Sequence, residues 1–274
     1  MSAGHVELMG QGALRPGLLA GRRCLVTGAG SGIGRAIALR LTALGGEVVG
    51  LGRRQDALEE TGARALDMNG SFRALTCDVR DASALTEAVD AAASGHGIDF
   101  LVNNAGGQFY APATAISRRG WDAVIDLNLS AVFSLLSAAR PHLAQRRGGV
   151  ASISLTGIDR GIMGAAHSVA ARAGVLGLTR TLALEWAQEG IRLNCVGPGI
   201  VFTENLDPAA RARAEADMSA VPLNRATDVT EIAELMAFLA SDAARMMTGQ
   251  FLQIDGGAHI GRGIHAWSPE QAAS

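Results

Sequence analysis

Two periodicities take turns along this chain. Short apolar runs rich in valine, isoleucine and leucine alternate with longer stretches in which apolar residues return every three or four positions. Residues 24–27 read as a buried strand, and residues 33–44 carry Ile33, Ile37, Leu41 and Leu44 at helical spacing. The alternation repeats as strand 47–51, helix 55–66, strand 74–79, helix 82–93 and strand 100–103. A long helix around 121–145 follows, then strand 150–155, helix 166–188 and strand 191–196. Beyond Pro198 the rhythm breaks. Residues 203–223 are polar and alanine-rich, with Pro208 and Pro222, before helix 229–239 and strand 251–254.

Alternation of this kind builds right-handed βαβ units. The expected fold is therefore α/β, a single-domain, Rossmann-type doubly wound parallel sheet of about seven strands with helices on both faces. The domain is expected over 21–260, with an N-terminal arm at 1–20, a C-terminal tail at 261–274 and a lid at about 200–225, where a long polar segment follows a strand's carboxyl end.

Composition narrows the function classes. A formal charge of −2 argues against a nucleic-acid partner. Cys24, Cys77 and Cys195 sit far apart in apolar runs and read as reduced, buried thiols. The six histidines show no metal-binding spacing, so no metal is expected. Residues 1–23 lack the basic start and apolar core of a secretory leader, and no apolar run approaches the ~18 residues of a membrane helix. The expected protein is soluble and cytoplasmic, without a membrane partner.

The first strand runs into Thr27-Gly28-Ala29-Gly30-Ser31-Gly32-Ile33-Gly34, which opens the first helix. Glycines there allow a tight turn, close approach of backbone amides to a pyrophosphate, and helix-on-strand packing, and the helix N-terminus adds partial positive charge. Glycines also simply make turns, but this one lies between a strand and a helix, the context a dinucleotide site requires. An acidic residue ending the second strand would bind a ribose 2′-hydroxyl; this chain has Gly52 followed by Arg53 and Arg54, whose guanidinium forks suit a 2′-phosphate. The expected cofactor is NADP(H).

The spacing T-G-x-x-x-G-x-G resembles the fingerprint of the short-chain dehydrogenase/reductases, and the resemblance extends over residues 18–257. It implies that Asp78 and Val79 read the adenine, that Asn104, Ala105 and Gly106 line adenine and ribose, and that Pro198, Gly199, Val201 and Thr203 form the nicotinamide loop. The runs Asn104–Phe109, His167–Gly174 and Leu182–Ala187, with the lead-in Arg15–Leu19, are similar to the peroxisomal trans-2-enoyl-CoA reductase and 2,4-dienoyl-CoA reductase branch. Where the superfamily usually carries Tyr and Lys four residues apart, this chain has Ser168 and Arg172; its only tyrosine is Tyr110, and all 24 basic residues are arginine.

Carbonyl reduction needs an acid for the forming alkoxide, and general acid help contributes roughly 10²–10⁴-fold. Ser168 is a poor acid, and Arg172, which stays protonated, is assigned to positioning the nicotinamide ribose. Reduction of a conjugated C=C bond is less demanding, because the resulting enolate spreads its charge and needs only hydrogen-bond donors near a thioester oxygen. Candidate donors are Asn128, which matches the family's helix asparagine, Ser154, Thr156 and Ser168, with His167, Tyr110 or solvent as the proton source. Three readings stay open: an NADPH-dependent reductase of an activated C=C bond such as an enoyl thioester, a ketone or imine reductase, and a non-redox or scaffold protein keeping the nucleotide site. The resemblance also implies a homo-oligomer, tetramer favoured, through helices 121–145 and 166–188.

Overall fold

The computed structural model describes residues 13–204, 206, 208–216 and 218–261. Its centre is one sheet of seven strands: β1 (Arg23–Thr27), β2 (Glu47–Gly52), β3 (Ser71–Thr76), β4 (Phe100–Asn103), β5 (Gly149–Ile153), β6 (Arg192–Pro198) and β7 (Phe251–Ile254). They lie in the order β3-β2-β1-β4-β5-β6-β7, every pair parallel, with Leu25 of β1 between Val49 of β2 and Leu101 of β4. A parallel sheet buries both faces, which is why β1, β4 and β5 are apolar almost throughout.

The helices are α1 (Gly32–Ala43), α2 (Gln55–Asp67), α3 (Ala82–Ala93), α4 (Arg118–Ile125), α5 (Ala131–Arg146), α6 (Ala166–Glu185), α7 (Pro208–Ala216) and α8 (Val229–Ala240). One core joins α3, α5 and α6 to the sheet through Leu85, Val89, Leu135, Leu136, Val175 and Leu182. The other joins α1 and α8 to the opposite face through Ile37, Leu41, Ile232 and Met236. Asp228 opens α8 in a capping box: it accepts from the Thr230 amide, while Glu231 accepts from the Asp228 amide at 2.8 Å. Arg40 of α1 is almost fully buried and pairs with Glu234 of α8 at 2.7 Å.

The single-domain α/β sheet matches the sequence expectation, with local differences that have physical causes. Strand β3 ends at Thr76, not 79. Cys77 and Val79 are buried loop residues, so the apolar run outlasts the strand. The long helix expected over 121–145 is α4 and α5 joined by a π turn, Asp126–Ser130. This joined run, Arg118–Arg146, is long and apolar enough by length and composition to cross a membrane, contrary to the expectation of no such run. In the fold its inner residues Val132, Leu135, Leu136 and Leu143 belong to the sheet's core. The polar segment 200–225 contains a helix, α7, that the hydrophobic pattern did not mark. The N-terminal arm is anchored at its end: Leu19 is fully buried and its amide donates to Leu44 O at 2.9 Å. Residues 1–12 of that arm and 262–274 of the tail lie outside the described residues.

Candidate active site

A cleft of about 390 Å³ opens over the carboxyl ends of β1, β2, β4 and β5. Its walls are the loop 28–34, Gly52–Arg54 after β2, Cys77–Val79 after β3, Asn104–Gly107 after β4, and Leu127, Ile153, Arg172 and Thr203. The strand order reverses direction between β1 and β4, so the cleft lies at the topological switch point, where open α/β sheets bind ligands.

The glycine loop leaves no room for a side chain at Gly28 or Gly34. Gly28 has φ +67°, and a Cβ on Gly34 would stand 2.2 Å from the Gly28 carbonyl oxygen. Asn104 fastens the β4 loop to β1: its side-chain amide donates to Thr27 O at 2.9 Å, and its backbone amide donates to Thr27 Oγ1 at 2.9 Å. At the start of α1, Ser31 gives no side-chain cap. Instead the Gly32 amide donates to Glu204 Oε1 at 3.3 Å, and the same carboxylate pairs with Arg35 at 3.3 Å. A carboxylate thus stands where the helix N-terminus attracts negative charge.

The base-recognition end is arginine-rich. Arg53 and Arg54 are exposed at the rim, and Arg54 donates to Ser31 Oγ at 3.4 Å. Asp78 is gripped by Arg80 through Nε at 3.0 Å and Nη2 at 2.5 Å. The Arg80 hydrogen bonds hold the Asp78 carboxyl down at about 2, against the opposing effect of burial. Val79 is buried beside it. Of the loop after β6, Thr203 reaches the cleft, close against Gly32. Pro198 ends β6, Gly199 packs against Asp255, and Val201 bridges to Thr227, so these three act from behind the wall.

At the other end, Arg172 and Asn128 form one unit. Arg172 donates to Ile153 O at 2.9 Å and to Asn128 Oδ1 at 3.0 Å, and burial pushes its pKa down. The π turn aims Asn128 inward. Its amide hydrogens go to Gly107 O and Val124 O, both at 2.8 Å, and its oxygen also accepts from the Gly107 amide at 3.2 Å. Both amide hydrogens are committed, so Asn128 positions the 106–107 loop and Arg172. A Cβ on Gly106 would fall 2.8 Å from Asn128 Oδ1 and 2.9 Å from Arg172 Nη2, so only glycine leaves that corner open. The Arg172 Nε is buried without a partner among the described residues.

Beside this unit runs a polar chain. Buried Ser168 donates its hydroxyl to Gln108 Oε1, and Gln108 Nε2 donates to the Tyr110 hydroxyl at 2.7 Å. The Ser168 proton is therefore engaged, whereas the Tyr110 hydroxyl proton remains available to an external acceptor on an exposed ring. Ser154 is buried and donates to Arg172 O at 3.4 Å, behind the guanidinium. Thr156 turns away to the Asp255 carboxylate, which also binds His259. Burial opposes ionisation of Asp255, but the Thr156 and His259 hydrogen bonds outweigh it and keep its pKa low. His167 is fully buried, its Nδ1 accepting from the Ser168 amide at 2.9 Å and its ring edge-on to Phe109 at 4.4 Å. Of the catalytic candidates Arg172 lines the cleft; Asn128 stands behind it on the guanidinium, Ser168 and Tyr110 flank it through Gln108, Thr156 is bound to Asp255, and His167 is enclosed against Phe109. Sequence reasoning passed over Gln108, Arg80 and Glu204. Gln108 was legible only as part of a motif, and Glu204 sits in a segment with no periodicity.

Residues 28–259 match the family described as enoyl-(acyl carrier protein) reductase. A "probable 2,4-dienoyl-CoA reductase" of Bacillus subtilis is 39% identical over 244 residues, covering 85% of this chain and 94% of that protein. A 3-oxoacyl-acyl-carrier-protein reductase of Thermotoga maritima is 35% identical, covering 88% and 99%. A solved structure from Beutenbergia cavernae, described as a "putative NAD(P) dependent gluconate 5-dehydrogenase" with bound NADP, superposes with TM-score 0.84 at 36% identity, covering 89% and 99%. Sheet order, glycine loop and these matches agree, and the chain belongs to the short-chain dehydrogenase/reductase superfamily of oxidoreductases.

Proposed function

We propose that this protein is an NADPH-dependent reductase of an activated C=C bond, with an enoyl thioester as the substrate class. The observation that carries the reading is the cleft itself, in which the glycine loop at the start of α1, two rim arginines and Arg172, held by Asn128, line one continuous groove. The residues fit the cofactor. A Cβ at Gly28 or Gly34 would collide with its surroundings, and the Glu204 carboxylate on the Gly32 amide is a stand-in for a phosphate oxygen. NADPH would lie with its pyrophosphate on that amide, its 2′-phosphate at Arg53 and Arg54, and its nicotinamide ribose at Arg172. Bound there, it supplies the hydride.

The chain's own residues supply positioning and a proton. Arg172 stands at the place where the superfamily usually has lysine, and Ser168 where it has tyrosine. Asn128 and Ile153 O fix the guanidinium, and Ser168 through Gln108 fixes the Tyr110 hydroxyl. That hydroxyl, at the mouth, gives its proton to the enolate as charge develops on the thioester oxygen, the place where a fixed donor is most effective; the proton ends on the α-carbon by tautomerisation and the tyrosine is reprotonated from solvent. Asn128 supports the site without touching substrate.

The test is to mix the protein with NADPH and enoyl-CoA esters from crotonyl-CoA upward, and to follow the reduced-nicotinamide absorbance. Loss of absorbance with a saturated acyl-CoA product supports the reading; none across acyl lengths sinks it. A ketone reductase is the second reading, favoured by the similarity to a 3-oxoacyl reductase and to a gluconate dehydrogenase structure. Turnover of 3-oxoacyl thioesters with none of enoyl thioesters would establish it instead. The chain's partner is proposed to be further copies of itself. Exposed Trp121 and Phe133 on α4–α5, with Ala170, Ala173, Gly177 and Leu184 on α6, form an apolar, small-residue face suited to close helix packing. Light scattering at micromolar concentration is expected to give a tetramer, and a monomer would reject it.

A further inference from the structure

At the opposite end of the sheet the amino ends of the strands surround a second cleft, of about 760 Å³. Five arginines converge on it: Arg22 before β1, Arg146 and Arg147 before β5, Arg192 at the start of β6, and Arg245 before β7. Asp99 and Asp242 are its only carboxylates among the described lining residues. Arg146 pairs with Asp99 at 3.0 Å and Arg22 with Asp242 at 2.8 Å. Arg192 donates to Ala244 O at 3.0 Å and Leu239 O at 3.1 Å, which fixes its plane but cancels no charge. Arg147 and Arg245 are exposed and form no ion pair among the described residues. Three positive charges are therefore left over in one concave site.

Several local features hold this arrangement in place. Glycines clear space for the guanidinium stems: a Cβ on Gly190 would meet Arg147 Nε at 2.7 Å, and one on Gly149 would meet Arg192 Nη2 at 2.8 Å. Arg147 itself sits at φ +50°, at the helix-ending position where glycine is the ordinary choice and any other side chain is strained. The fold keeps an arginine at that strained position, facing the cleft. Burial, with Arg22 nearby, also pushes the Arg192 pKa down.

We infer that this cleft is a separate anion site for a small molecule carrying two adjacent phosphates, of the nucleoside diphosphate class. Arginine forks match phosphate oxygens bidentately. A diphosphate ester carries roughly three negative charges at neutral pH, matching the surplus. A cavity of several hundred Å³ holds one nucleotide-sized ligand. The exposed Met246 at the rim offers an apolar surface for the base. The inference is independent of the reductase reading, because the cleft lies at the other end of the strands.

The test uses the full chain in titration calorimetry with inorganic pyrophosphate, and with orthophosphate for comparison. One variant combines Arg147→Gly, which relieves the strained backbone and so keeps the fold, with Arg245→Gln. A second combines Arg53→Gln with Arg54→Gln, at the other cleft. Saturable pyrophosphate binding is expected. It should be at least 10-fold weaker in the 147/245 variant, retained in the 53/54 variant, and at least 10-fold tighter than orthophosphate binding. No saturation at millimolar pyrophosphate, or a loss that follows Arg53 and Arg54 rather than Arg147 and Arg245, overturns the inference.

Discussion

The single tyrosine illustrates how much rests on one side chain here. Tyr110 receives a hydrogen bond from Gln108, which in turn holds the Ser168 hydroxyl. Tyr110→Phe deletes only the hydroxyl, so kcat on an enoyl thioester should fall about 10²-fold or more while KM for NADPH stays put. An unchanged kcat would move the proton to solvent. Glu204 makes a second residue-scale case. Its carboxylate sits on the Gly32 amide and would repel a pyrophosphate brought there. Glu204→Gln is therefore expected to tighten NADPH binding about 3–10-fold, a gain of about 1 kcal/mol by direct titration. Weaker binding would show that the Glu204–Arg35 pair supports the cofactor-ready loop. At this scale the sequence was informative where a motif constrains geometry. Gly28, Gly34 and Arg53 could be placed on the cleft from their neighbours, and Arg172 from the family resemblance. The partner that each polar atom chooses was not readable. That Thr156 turns to Asp255, or that Arg80 captures Asp78, depends on loop paths that no periodicity encodes.

Among the elements, α1 and α8 depend on each other. Neither alone hides its apolar stripe, and Arg40 crosses between them to Glu234 in a nearly dry setting. Arg40→Leu leaves the Glu234 carboxylate half-buried and unpaired. About 3–5 kcal/mol of stability should be lost in urea unfolding, and the double change Arg40→Leu with Glu234→Leu should restore much of it. If the single variant is neutral, the pair is not a structural tie. The elements most legible in sequence were those buried on both faces. Strands β1 and β4 are continuous apolar runs, and helix α1 is buried without a break from Gly34 to Thr42. Edge strand β3 was misplaced by three residues because its alternating exposure gives a weak signal, while Cys77 and Val79 extend the apolar run into the cleft wall. Helix α7 went unmarked because an alanine-rich polar helix has no stripe to read.

For the molecule as a whole, the two deepest thiols report on the integrity of the cores. Burial pushes Cys24 and Cys195 up to about 12 from an ordinary value of 9.0. The folded state then holds those protons more tightly than the unfolded chain, so stability is full below pH 9 and falls as pH rises towards about 12. A disulfide-exchange reagent at pH 8 should leave both thiols untouched until denaturant is added. Fast labelling of either in the native protein would mean that the sheet opens far more readily than its packing implies. The doubly wound parallel sheet of about seven strands was readable from alternation, since βαβ handedness leaves few ways to arrange them. What alternation does not convey is the charge at the two ends of that sheet. The arginines of the second cleft are scattered from 22 to 245 and meet only because the strands' amino ends share one edge.

The position of Tyr110 has a practical consequence. Biosynthetic replacement of tyrosine by 3-fluorotyrosine would put one fluorine into the entire polypeptide, on an exposed ring at the proposed substrate entrance. Its lone resonance would then track ligand arrival, with no assignment problem and no foreign dye.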